Sequence, residues 1–161
     1  MMERAQANWV IYATLLMALG LHMLPMPLDW RLYRPPWVEL TLCYWVLALP
    51  HRVGIVSSAL MGLAVDVVDG SPAGALSLGL VGSTLILLLN YQRIRLFDTL
   101  QQTLVVLMLV ALARVIERWA HNLVGLPPTG SEFLVPLITV PLLWPLLRTL
   151  LRQIRRQWGV A

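Results

Sequence analysis

From Val10 to Leu151 the chain is a succession of long apolar stretches interrupted by a few arginines, and it contains no lysine. This pattern fixes the solvent before it fixes the fold. Hydrophobic residues make up 58% of the chain and charged residues 12%, with a mean hydropathy of +0.73. An ordinary soluble domain carries about 25% charged residues. A water-soluble core of 161 residues cannot hide this much apolar surface, so the expectation is an all-α polytopic membrane protein.

A spanning helix needs about 20 mostly apolar residues. Candidate spans fall at about 8–24, 35–49, 54–68, 73–90, 100–119 and 133–151, giving a single integral-membrane domain built as a six-transmembrane-helix bundle. Pro25 and Pro27 end the first span, because proline removes a backbone donor and clashes with the preceding turn. The second is short, opened by Pro35 and Pro36 and closed by Pro50. In the third, Ser58 and Gly62 form a small-xxx-small pair suited to close helix approach. Asp69-Gly70-Ser71-Pro72 is a turn signal. Gly74, Gly79, Gly82 and Ser83 follow, so the third and fourth spans read as a tight hairpin. Asp98 or Thr99 is the expected N-cap of the fifth. The segment from Gly125 to Gly130 is a breaker, and Pro136, Pro141 and Pro145 are expected to bend the sixth.

Six spans place both termini on one side. That side holds Arg4, Arg52, Arg93, Arg95, Arg152, Arg155 and Arg156, whereas the other holds Arg31, Arg34 and Arg118. By the positive-inside rule both termini are expected to be cytoplasmic. Trp9, Trp30, Trp37, Trp119, Trp144 and Trp158 lie near expected ends, as interfacial aromatics do. The formal charge of +4 does not indicate nucleic acid, because the arginines are dispersed along span edges. No small-residue cleavage site follows the first span, so it reads as a retained helix. Cys43 sits inside an apolar run and reads as a small buried hydrophobe.

Ionisable groups inside spans cost about 2.5–3.5 kcal/mol on insertion scales, so each needs an explanation. Asp66 and Asp69 are three residues apart on one helix face. They suit either a divalent metal or acid–base chemistry, or a plainer role in which Asp69 caps the turn and Asp66 pairs or hydrogen-bonds inside the bundle. Metal sites usually need three or more protein ligands, and His22, His51 and His121 read as interfacial. Arg114 and Glu117 suit a substrate or proton relay, or an internal ion pair near the periplasmic interface. Glu39 suits pairing with an arginine of another helix or contact with a partner. The basic tail either binds anionic head groups or anchors the last helix. No nucleophile–base pair, phosphate-cradling loop or cysteine–histidine cluster is present, so neither an enzyme nor a cofactor is expected.

Three segments resemble the bacterial rod shape-determining family MreD. They are Tyr33-Arg34-Pro35-Pro36-Trp37, the run from Tyr44 through Pro50-His51-Arg52-Val53-Gly54, and Gly62-Leu63-Ala64-Val65-Asp66-Val67-Val68-Asp69-Gly70 followed by Gly74. The resemblance implies a non-enzymatic inner-membrane component of the lateral wall-synthesis machinery. Its implied partner is MreC, a single-span periplasmic protein, and through it MreB, RodA and the associated penicillin-binding transpeptidase. Membrane lipids are the other implied contact. The family offers no agreed catalytic residues. Arg34, Trp37, Glu39, His51, Arg52, Asp66, Asp69, Arg114 and Glu117 are therefore candidates for structure or partner contact.

The competing reading is the substrate-binding membrane subunit of a vitamin or metal importer, similar in size and hydropathy. It needs a cavity with converging polar groups. The polar groups of the third and fifth spans are expected near opposite membrane faces, which counts against it.

Overall fold

The computed structural model describes residues 8–126 and 131–160, with the backbone alone for residues 31, 32, 131 and 132. Glu3, Arg4 and the 127–130 part of the expected breaker lie outside the described residues. Among the described residues six α-helices follow one another: α1 (Asn8–Met23), α2 (Trp37–Ala48), α3 (Ile55–Asp69), α4 (Ala75–Ile94), α5 (Thr99–Leu123) and α6 (Val140–Gln157). Short 3₁₀ segments at Leu28–Tyr33 and Ser131–Thr139 precede α2 and α6. Among the described residues there is no strand.

Three helical stretches are long and apolar enough to cross a membrane: Ala75–Ile94, Thr99–Leu123 and Phe133–Gln157. Asn8–Met23 and Trp37–Ala48 are apolar but shorter, and α3 has 15 residues. The six-helix count of the sequence reading holds, while full spanning length belongs to three. Leu16, Leu60, Leu78, Leu89, Met108 and Leu142 stand more than half exposed on the outer surface. A water-soluble monomer rarely carries so broad an apolar surface, and a bilayer accepts it.

α2 is the hub. Every residue from Val38 to Leu47 is buried, as expected of a helix apolar on all sides. It packs against α1, α4, α5 and α6. Twelve residues rise about 18 Å, and its neighbours shield that short rod from lipid. α1 meets it with a stripe of Val10, Ile11, Thr14, Leu15, Ala18 and His22. The buried Trp45 indole donates to Thr14 Oγ1 at 2.8 Å, a hydrogen bond tying the two helices.

The hairpin of α3 and α4 forms as the small residues foretell. A Cβ at Gly62 would overlap the Ser77 backbone. Ser77 Oγ donates to Ala59 O at 2.9 Å, and Ser58 and Thr84 share a buried 2.6 Å hydrogen bond. The same device repeats between α4 and α5, where a Cβ at Gly79 would land on the Ala113 backbone and Ser83 donates to Leu109 O at 2.9 Å. Gly70, at φ 67°, ends α3, using the left-handed region glycine enters without strain.

One local expectation is met in position only, and two need correcting. Asp98 occupies the N-cap position of α5, yet its side chain makes no capping bond. The sixth span does not begin as a bent α-helix: residues 131–139 are 3₁₀ and the α-helix starts at Val140 with Pro141 in its first turn. There a proline lacking N–H sacrifices no helical bond. Trp144 is not interfacial. It is fully buried, because its face of α6 turns toward α2 rather than lipid.

Candidate functional site: a buried charge network at one end of the bundle

The two ends of the bundle are distinguishable. At one end Trp9 meets Trp158 edge-to-face at 5.2 Å, and Arg52 donates to Asn8 Oδ1 at 2.9 Å. His51 is exposed there. At the other end, the start of α2 and the ends of α1, α3 and α5 gather the remaining candidates.

Glu39 is 1% exposed, one turn into α2. It accepts a hydrogen bond from the Arg114 guanidinium of α5, 75 residues away in sequence. Arg114 also donates to Glu117 Oε2 at 3.1 Å. One cation thus serves two carboxylates, and the helix face shared by Arg114 and Glu117 points at α2.

Asp66 and Asp69 part company. Asp66 is buried and accepts from the backbone N–H groups of Gly74 at 2.9 Å, Leu76 at 3.0 Å and Ser77 at 3.4 Å. These are orphan donors of the α4 N-terminus. Gly74 has no side chain to cap them, so the preceding helix supplies the carboxylate, where the helix dipole also favours it. Asp69 turns elsewhere. Its oxygens lie 3.0 and 3.1 Å from His22 Nε2, and one is 3.9 Å from Arg34 Nη1. Asp69 therefore does not cap the turn, because Gly70 closes it through its own backbone. With the two carboxylates committed to different partners, they do not converge on an ion. Among the described residues no group of three or more His, Cys, Asp and Glu side chains is placed to hold a metal.

Arg34 has a second task, donating to Leu24 O at 2.9 Å and so satisfying the C-terminal end of α1. A cavity of about 320 Å³ opens above it, bordered by Met23, Met26, Leu28, Val68 and Asp69. Trp37 is half-buried against the core at the start of α2.

The two clusters are neighbours. Asp69 and Arg114 lie within electrostatic range of each other. The expectation that polar groups of the third and fifth spans sit near opposite faces is overturned. An antiparallel path through α3, α4 and α5 returns the end of α5 to the end of α3. The network brings three carboxylates (Glu39, Asp69, Glu117) together with two guanidiniums (Arg34, Arg114) and the His22 imidazole.

His22 is the residue that sequence reasoning misplaced. It is 3% exposed rather than interfacial. Its spacing of four from Ala18 and eight from Thr14 puts it on the buried stripe of α1, a periodicity legible in the sequence. Among the described residues, five buried atoms of this region have no hydrogen-bond partner: His22 Nδ1, Arg34 Nε, Glu39 Oε2, Arg114 Nε and His121 Nε2. Leaving such groups unmatched costs about 1–3 kcal/mol each, so the region has spare capacity for polar contacts.

The family model described as rod shape-determining protein MreD matches residues 3–154. A relative from Haemophilus influenzae, "Rod shape-determining protein MreD", is 31% identical over 158 residues, covering 98% of each chain. No solved structure matches.

Proposed function

The chain belongs to the MreD family of rod shape-determining proteins, and from that premise we propose that it is a non-enzymatic scaffold of the inner-membrane wall-elongation machinery. It crosses the membrane six times with both termini cytoplasmic, as a single domain, and binds MreC. Through MreC it helps to organise lateral peptidoglycan synthesis. A role in rod shape follows from the family; partner, topology and mode of action are this reading.

The observation that carries it is the buried charge network. Ionic groups this costly in lipid persist where they fix helix register or meet a partner. Here they join α1, α2, α3 and α5 at one end, beside a cavity bordered by the exposed Met23 and Leu28. On the six-crossing path this end faces the periplasm, where MreC would sit. Apolar rim, ion pair and unmatched polar atoms together suit a helix or loop of another protein.

Co-purification from native membranes, with partners identified by mass, tests the proposal. The wild-type chain is expected to carry MreC, and Arg34→Gln to lose about tenfold of it, as for a charge-assisted contact. A cysteine at Leu28 is expected to react with an impermeant thiol reagent from the periplasmic side. Recovery without MreC, or turnover of a substrate by the isolated chain, would overturn the reading.

A further inference from the structure

At the opposite end, a second cavity of about 240 Å³ lies between the end of α2, the start of α5 and the last turns of α6. Arg95, Arg148, Arg152 and Arg155 border it. Arg148, Arg152 and Arg155 line the cavity together with Tyr44, so the three cations border one space, close enough to act electrostatically on the Tyr44 hydroxyl. Arg148 is held by Thr99 Oγ1 at 2.9 Å and Arg155 by Val160 O at 3.1 Å. Among the described residues no carboxylate pairs with any of the four.

Gathering like charges is unfavourable, and among the described residues no carboxylate offsets it here. A chain using arginine only to anchor a helix end would splay these side chains toward separate head groups. Instead two of them, Arg148 and Arg155, are oriented by neutral acceptors, and all four border a common space.

Two further side chains on the same wall point to a ligand. Trp144 is fully buried, and its indole N–H has no partner among the described residues. Gln102 is 4% exposed, with an unmatched Oε1, while its amide nitrogen donates to Ile94 O at 3.3 Å. The cavity is thus bordered by several guanidinium forks and by Trp144 and Gln102, whose buried indole N–H and amide oxygen have no partner among the described residues. Guanidinium forks match phosphate geometry bidentately, and the acceptor suits a hydroxyl. The volume lies below the roughly 300–1,000 Å³ of drug-sized sites, the right scale for one head group. A neighbouring groove shares Arg152 and Arg155 and adds Arg156, extending the positive surface outward.

We propose that this cavity binds a hydroxyl-bearing phosphate ester, with the phosphate among Arg148, Arg152 and Arg155. The inference depends on the family reading only for the leaflet, which would be cytoplasmic. Basic pockets between helices on that side commonly take anionic lipid head groups. A phosphatidylglycerol head group and a soluble glycerol phosphate share this chemistry.

The purified full chain, without MreC, provides the test by native mass spectrometry. Wild-type protein is expected to retain phosphatidylglycerol over phosphatidylcholine. Arg152→Gln and Arg95→Gln, both at exposed positions and so compatible with folding, are each expected to cut retention about tenfold. Arg93→Gln removes the same charge outside the cavity and is expected to change it less than about twofold. Trp144→Phe, which keeps the buried ring, is expected to weaken retention several-fold. If no lipid is selected but glycerol phosphate raises the thermal midpoint in wild type and not in Arg152→Gln, the site stands with a soluble occupant. Equal losses for Arg93→Gln and Arg152→Gln, or no response to either compound, would overturn it.

Discussion

Asp66 caps a helix that is not its own: its carboxylate accepts the Gly74 N–H at 2.9 Å and closes the α4 N-terminus from the end of α3. The contact binds the two arms of the hairpin at their junction. It also explains why a carboxylate can be 1% exposed here, since three backbone donors replace its hydration.

Asp66→Asn keeps an acceptor oxygen and loses the charge, whereas Asp66→Leu strands every donor. Asn is expected to cost about 1–2 kcal/mol and Leu about 3 kcal/mol or more, as unmet N–H groups accumulate. Thermal unfolding in detergent separates them. Equal damage from both would show that the charge, rather than hydrogen bonding, holds the junction.

Arg114 serves both Glu39 and Glu117, so its loss should exceed that of either acid. Arg114→Leu is expected to destabilise by about 3–5 kcal/mol, because two part-buried carboxylates lose their cation. Glu39→Gln leaves the Arg114–Glu117 pair and is expected to cost less than half of that. Denaturant titration of reconstituted protein measures both, and the reverse ranking would refute the shared-cation arrangement.

Glycines of α4 differ in what surrounds them. Gly79→Ala drives a methyl into the Ala113 backbone and is expected to cost about 1–3 kcal/mol. Gly82→Ala meets only Ile116 Cδ1 at 3.5 Å and is expected to be neutral or slightly stabilising. Gly62→Leu, against Ser77, is expected to prevent hairpin closure. Expression and thermal midpoint check the series.

The Ser58–Thr84 hydroxyl pair joins α3 to α4. Ser58→Ala and Thr84→Val are each expected to cost about 0.6–1.7 kcal/mol, and the double variant less than their sum, since no hydroxyl is then left alone. A double-mutant cycle reads the coupling directly; strict additivity would mean that the pair contributes nothing.

Helix positions were readable because lipid demands uninterrupted apolar runs, and prolines and glycines punctuate them. The end of α1 at Pro25 and the Gly70 turn fall where their residues demand. What could not be read was partnership across distance. Glu39 shows the cost of burial but not that Arg114 answers it, because α2 and α5 are brought together only by packing. His22 looked interfacial because its position near a helix end outweighed its place on the apolar stripe. Trp144 was misassigned for the same reason, as nearness to an end says nothing of which way a ring faces. Asp66 and Asp69 share a helix side, yet one reaches along the chain to α4 and the other across to α1.

The separation of Glu39 from Arg114 bears on how the protein is made. Glu39 leaves the ribosome 75 residues ahead of its counter-ion, a delay of roughly 4–15 seconds at ordinary synthesis rates. The second helix is therefore complete before the arginine that pairs with its buried acid has been made, and the ion pair can close only after the fifth helix is synthesised.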